Sequence, residues 1–118
     1  MKKITHHARK LLFITKEFFF VKSVPIGVLR GAHAHFTCNQ EIVLLRGRLE
    51  VTTEDSAGRR KRLLKKTGDS IYIPRLTWGE QKFLTEETEI LVLCSEIYDE
   101  NDYIRNYNEF LSIIKNQV

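Results

Sequence analysis

Through most of this chain the apolar residues come in short runs cut by turn-forming residues, and only the last stretch repeats on a helical period. Residues 11–21 are aliphatic and aromatic, include Phe18-Phe19-Phe20 and lack three-to-four spacing, which predicts strand. Val24-Pro25-Ile26-Gly27 predicts a turn, and residues 28–43 are again β-branched and aliphatic. Residues 41–53 predict two strands broken at Arg46-Gly47, with Leu49, Val51 and Thr53 on alternate positions. A turn over residues 54–58 leads to a short strand over 62–66. Thr67-Gly68-Asp69-Ser70 turns into Ile71-Tyr72-Ile73, which stops at Pro74. Phe83-Leu84 and residues 89–94 complete the strands. In the tail, Tyr103, Ile104, Tyr107, Phe110, Leu111 and Ile114 recur at threes and fours, predicting an amphipathic helix over 102–115. Asp99-Glu100-Asn101-Asp102 supplies acidic and capping residues at its start.

Many short strands between Gly, Pro and Asp turns predict an all-β sandwich or barrel with a short C-terminal helix. At 118 residues, with 42% hydrophobic and 29% charged residues, the expectation is one globular domain over 1–118, its polar residues 1–10 loosely ordered. No apolar run reaches the roughly 18 residues of a membrane span. The basic start lacks the apolar stretch and cleavage site of a signal peptide, so the sequence predicts a cytoplasmic protein. In that compartment Cys38 and Cys94, without CxxC spacing, read as free thiols. Much of the +4 net charge sits in Arg59-Arg60-Lys61-Arg62 and Lys65-Lys66, beside Ala57-Gly58. No aromatics accompany it to stack bases, so it reads as a solvated turn rather than a nucleic-acid patch.

The candidate chemistry lies in His33-Ala34-His35, introduced by Arg30-Gly31. On a strand, residues i and i+2 share a face with Cα atoms roughly 6.5–7 Å apart. Two imidazoles so placed suit either a metal or acid–base work near neutral pH. Metal-binding barrels of the cupin type pair a His-x-His and a nearby Glu with a third His five residues after a Pro. Here Gly68 stands six residues before Pro74, which keeps that frame, but the third His position holds Gly79 and the carboxylate position holds Gln40. Gln is a poor ligand for metals that prefer imidazole, and Gly has no side chain to offer. The expectation is therefore no metal and no other cofactor, with His33 and His35 acting as proton carriers beside Arg30.

Arg30-Gly31-Ala32-His33-Ala34-His35, Gln40, Arg46-Gly47, the 68–74 segment, Trp78, Leu91-Val92-Leu93 and the tail from Tyr98 to Leu111 together resemble the sugar 3,4-ketoisomerases. The resemblance runs from about Phe18 to Leu111. It implies a cupin, RmlC-like jelly-roll that forms a homodimer and needs no metal. It also implies conversion of dTDP-4-keto-6-deoxyglucose to a dTDP-3-keto-6-deoxyhexose, which an aminotransferase and an N-acyltransferase then carry toward surface glycans such as O-antigens. His33 and His35 would carry the protons, in an order the sequence leaves open. Arg30 suits an anion through its rigid donor fork. Gln40, Tyr72, Trp78 and Gln81 are further substrate-contact candidates, Trp78 by stacking and Gln81 at the rim. Two departures stand out: Gly79 where family members carry His, and Phe18, Phe19 and Phe20 where their entry strand offers tyrosines. A 3,5-epimerase of the same sugars and a non-catalytic nucleotide-sugar-binding cupin are the rival readings.

Overall fold

The computed structural model describes residues 13–116, so the expectation for residues 1–10 falls outside it. Nine strands, one 3-10 turn over Glu100–Asp102 and one α-helix lie among the described residues: β1 Glu17–Lys22, β2 Leu29–His35, β3 Gln40–Arg46, β4 Leu49–Asp55, β5 Gly58–Leu64, β6 Ser70–Ile73, β7 Trp78–Phe83, β8 Glu89–Cys94, β9 Tyr103–Ile104 and α1 Tyr107–Lys115. They form two sheets, ordered β1-β8-β3-β6 and β5-β4-β7-β2-β9. Every strand pairing is antiparallel. This is the predicted all-β jelly-roll with its short C-terminal helix.

Alternation decides which side chains face the interior. Ile42, Leu44, Leu49, Val51, Leu64, Phe83 and Ile90 are fully buried between the sheets. Ala34, Trp78, Ile104 and Phe110 form a second cluster, where α1 and β9 pack against β2 and β7. Emptying either core by a large-to-alanine change costs about 2–5 kcal/mol. At the β3–β4 turn, Gly47 has φ +86°, and a Cβ there would stand 2.3 Å from Thr88 Oγ1 and 2.5 Å from Thr88 Cα. Only glycine fits that turn.

Three elements differ from the pattern reading. The strand expected over 62–66 begins at Gly58, so the basic run lies on the exposed edge strand β5 rather than in a turn. Charged side chains along such an edge discourage pairing with other chains. Strand β7 extends back to Trp78 instead of starting near Phe83. The tail helix begins at Tyr107, five residues later than its periodicity predicts. Asn106 is its cap, its side chain accepting from the Glu109 N–H at 2.8 Å. The preceding Tyr103–Ile104 pairs with β2, because burying Ile104 beside Ala34 outweighs local helical preference.

Candidate active site

Strand β2 carries the histidines, and an irregularity in its pairing with β7 aims them. The register shifts between Gly31 and His33, where Gly31 has φ +84° and Ala32 φ +52°. This bulge lets Arg30 and His33, three residues apart, line one cavity wall together. His33 and His35 then follow normal alternation, their ring centroids 5.0 Å apart and edge-to-face.

Each imidazole has one nitrogen committed. His33 Nδ1 lies 3.0 Å from the Gly31 carbonyl, which only accepts, so Nδ1 bears the proton and Nε2 keeps its lone pair. His35 Nδ1 donates to Asp102 Oδ2 at 3.2 Å, and its buried Nε2 has no partner among the described residues. Asp102 is itself held: Thr37 N–H (2.8 Å) and Thr37 hydroxyl (2.7 Å) reach Oδ1, and Cys38 N–H (3.1 Å) reaches Oδ2. Burial opposes ionisation of Asp102, but these donors outweigh it and keep its carboxyl below the ordinary range. Burial, with His35 alongside, lowers His33 to about 4. Burial also lowers His35, against the opposing pull of Asp102. Both rings are neutral at pH 7.

Two cavities of about 190 and 220 Å³ meet here. Phe19, Gln40 and Tyr103 line both. The first holds His35 and Asp102 and is acidic at its rim, with Glu17, Glu96 and Asp99. The second holds His33, Arg30, Gln81 and Arg105 and is basic. Tyr103 packs against both histidines, at 4.9 Å from the His33 centroid and 4.3 Å from that of His35. Arg105 lies 4.2 Å over the Tyr103 ring and is tied to Glu100 by bonds of 2.8 and 2.9 Å. Arg30 makes no ion pair among the described residues.

Of the seven residues named from sequence, the structure brings together Arg30, His33, His35, Gln40 and Gln81. Two stand elsewhere. Tyr72 is paired across from Glu41, between the inward-facing Ile71 and Ile73, and its ring neighbours Phe13. Trp78 is 3% exposed, packs on Phe110 and Tyr107, and donates its indole N–H to Glu80. Alternation on β7 explains this, because the inward positions are Gly79 and Gln81. Sequence reasoning missed Asp102, Tyr103 and Arg105, whose only signal is that they lie inside the tail segment carrying the family resemblance. Phe19 proves to be the entry-strand aromatic that faces inward, opposite Val92, while Phe18 and Phe20 point out. Among the described residues, no three His, Cys, Asp or Glu side chains converge as a metal ion would require. Both cysteines are free and buried, and no helix among these residues is long and apolar enough to cross a membrane.

An antiparallel jelly-roll with a carboxylate-braced histidine, a second neutral imidazole and arginines at one end defines a cupin of the sugar-nucleotide-modifying kind. The family model described as FdtA: WxcM-like, C-terminal matches residues 3–115, and the chain belongs to this family, that of the cupin-fold sugar 3,4-ketoisomerases. The TDP-4-oxo-6-deoxy-alpha-D-glucose-3,4-oxoisomerase of Aneurinibacillus thermoaerophilus is 28% identical over 106 residues, 90% of this chain and 76% of that protein. The structure of QdtA, a sugar 3,4-ketoisomerase from Thermoanaerobacterium thermosaccharolyticum in complex with TDP, matches with a TM-score of 0.85 and 31% identity over 91% of this chain and 78% of that one. WlaRA, the TDP-fucose-3,4-ketoisomerase from Campylobacter jejuni, matches with a TM-score of 0.83 and 26% identity over 89% and 78%.

Proposed function

We propose that this protein moves the ketone of dTDP-4-keto-6-deoxyglucose from C4 to C3 by proton transfer through an enediol, with His35 as the carbon base and His33 as the oxygen relay. The observation that carries this is the Asp102–His35 hydrogen bond, which leaves Nε2 of His35 as an unpartnered lone pair beside His33. A hydrogen on C3 is acidic because its removal delocalises charge onto the C4 carbonyl oxygen. His35 Nε2 takes that proton, and ionised Asp102 stabilises the resulting imidazolium. His33 Nε2 accepts the C3 hydroxyl proton and returns it to the C4 oxygen. His35 then delivers its proton to C4. Each such transfer typically contributes ~10²–10⁴-fold.

Charge orients the substrate. The diphosphate goes to the cavity of Arg30 and Arg105, since the carboxylates at the rim of the other cavity repel it. The hexose then lies across Phe19, Gln40 and Tyr103, with Gln81 at the basic end. Phe19 presents no hydroxyl and Gly79, paired across from His33, no imidazole, so the two β2 histidines carry the protons unaided. The protein acts as a homodimer without a metal, in one domain and in the cytoplasm. Its 3-keto product feeds a pyridoxal-phosphate aminotransferase and an N-acyltransferase that supply 3-acetamido-3,6-dideoxyhexoses to O-antigens.

Incubation with dTDP-4-keto-6-deoxyglucose in D₂O, followed by NMR, tests the reading. A C3 ketone is the expected product, with deuterium at C4 in the fraction of turnovers in which protonated His35 exchanges with solvent before returning its proton. Exchange at C3 and C5 with inversion identifies an epimerase instead, and saturable TDP binding without exchange identifies a binding module. His35→Asn and His33→Asn should each lower kcat by about 10²-fold or more while preserving the thermal transition.

A further inference from the structure

We propose that Cys38 and Cys94 form a reversible disulfide on exposure to peroxide, and that this bridge unsettles the Asp102–His35 pair beside it. The two thiols are far apart in sequence and are joined by the β3–β8 pairing. Gln40 stands opposite Cys94, while Asn39 and Ser95 exchange hydrogen bonds of 2.8 and 2.9 Å just beyond. Cys38 lies two residues before Gln40, which makes it the diagonal neighbour of Cys94 across the pairing; both thiols belong to one buried cluster and line the cavity that holds His35 and Asp102. Each is only 5% exposed, which excludes bulky oxidants and leaves a cavity-sized one such as hydrogen peroxide.

The pair is chemically unequal. The neighbouring Cys94 thiol lowers the Cys38 thiol from its ordinary value, against the opposing effect of burial. The same contact, with burial, pushes Cys94 up. Cys38 is thus the nucleophile and Cys94 the resolving thiol. The Cys38 thiolate attacks one peroxide oxygen, breaking the O–O bond to give a sulfenic acid and hydroxide, which takes up the thiol's proton as water. Cys94 then attacks the sulfenyl sulfur; the S–S bond forms, and hydroxide leaves with the Cys94 proton as a second water. Two thiols lose two electrons, and one peroxide gains them.

The consequence for the site follows from one hydrogen bond. Cys38 N–H holds Asp102 Oδ2 at 3.1 Å, the same oxygen that receives His35 Nδ1. Closing the sulfurs to the roughly 2.05 Å of a disulfide draws Cys38 toward β8 and away from that oxygen. It also removes the Cys38 donation to Asn39 O (3.4 Å) and alters the Gln40 contact to Cys94 Sγ (3.5 Å).

The test needs no sugar, so its failure is distinct from failure of the isomerase reading. The full chain has two cysteines. After hydrogen peroxide treatment and alkylation under denaturing conditions, the intact monomer should lose the mass of two hydrogen atoms. Digestion should yield one peptide linking Cys38 to Cys94, and dithiothreitol should reverse both results. NMR of the imidazoles should show the His35 titration moving down by about 1 pH unit on oxidation, since Asp102 supports the charged ring. Cys94→Ala and, independently, Cys38→Ala should abolish the linked species and the peroxide-dependent shift. Persisting free thiols, irreversible oxidation without a linked peptide, or a link between two copies overturns the bridge. A bridge that leaves the His35 titration unmoved overturns its effect on the site.

Discussion

The Asp102 carboxylate accepts four hydrogen bonds, from two groups of Thr37, from Cys38 and from His35, and this network fixes both the charge and the direction of the dyad. Asp102→Asn turns an amide toward groups that all donate, so His35 loses its orientation and its counter-charge. The expected result is a kcat about 10²-fold lower with KM little changed, read from initial rates, and a His35 titration shifted down. The neutral histidines also make stability depend on pH. An unfolded chain protonates His33 near its ordinary 6.5, whereas the folded chain resists until about 4. Between those values the unfolded state binds more protons, so stability falls as pH drops through that window. Burial of His35 acts with the same sign. Urea unfolding of His33→Asn should therefore lose less stability between pH 6.5 and 4 than the parent. Equal slopes would mean that His33 titrates normally in the fold.

Among the elements, β7 and the tail show why sequence legibility was uneven. Strands with an ordinary core face, such as β3, β4 and β8, carry aliphatic residues at their inward positions and are visible in the pattern. Strand β7 hides because its inward positions at the site, Gly79 and Gln81, are not apolar, and its outward ones are Glu80 and Lys82. A strand that builds a polar cavity lacks the signature by which strands are found. The histidine pair was legible because a two-residue spacing survives any register. Asp102 was not, because it meets His35 across 67 residues and its neighbours satisfy a helical period. The basic run misled for a related reason, since an edge strand facing solvent looks like a turn. At the β3–β4 junction the physics is local: Gly47→Ala adds a Cβ that collides with Thr88 backbone and forces φ +86° on a residue that resists it. A loss of about 2–4 kcal/mol in chemical unfolding is expected. Near-parental stability would mean that the 85–88 turn moves aside.

At the scale of the whole molecule, the sheet β1-β8-β3-β6 turns an aromatic face outward. Phe18 and Phe20 are 59% and 56% exposed and meet edge-to-face at 6.0 Å. Exposed apolar surface of this kind favours burial against another surface, and a second copy of the same sheet is the self-complementary choice. Light scattering should find the parent as a dimer and Phe18→Glu/Phe20→Glu as a folded monomer. A parent that runs as a monomer at micromolar concentration removes the dimer from the proposal. The other sheet has its outer face closed by α1 and its last strand, β9, drawn from the tail. Translation delivers that tail after all eight strands of the barrel have emerged. A growing polypeptide thus presents its histidines and Arg30 before Asp102, Tyr103 and Arg105 arrive, and a message truncated after β8 encodes a recess that lacks its carboxylate, its central ring and its second arginine.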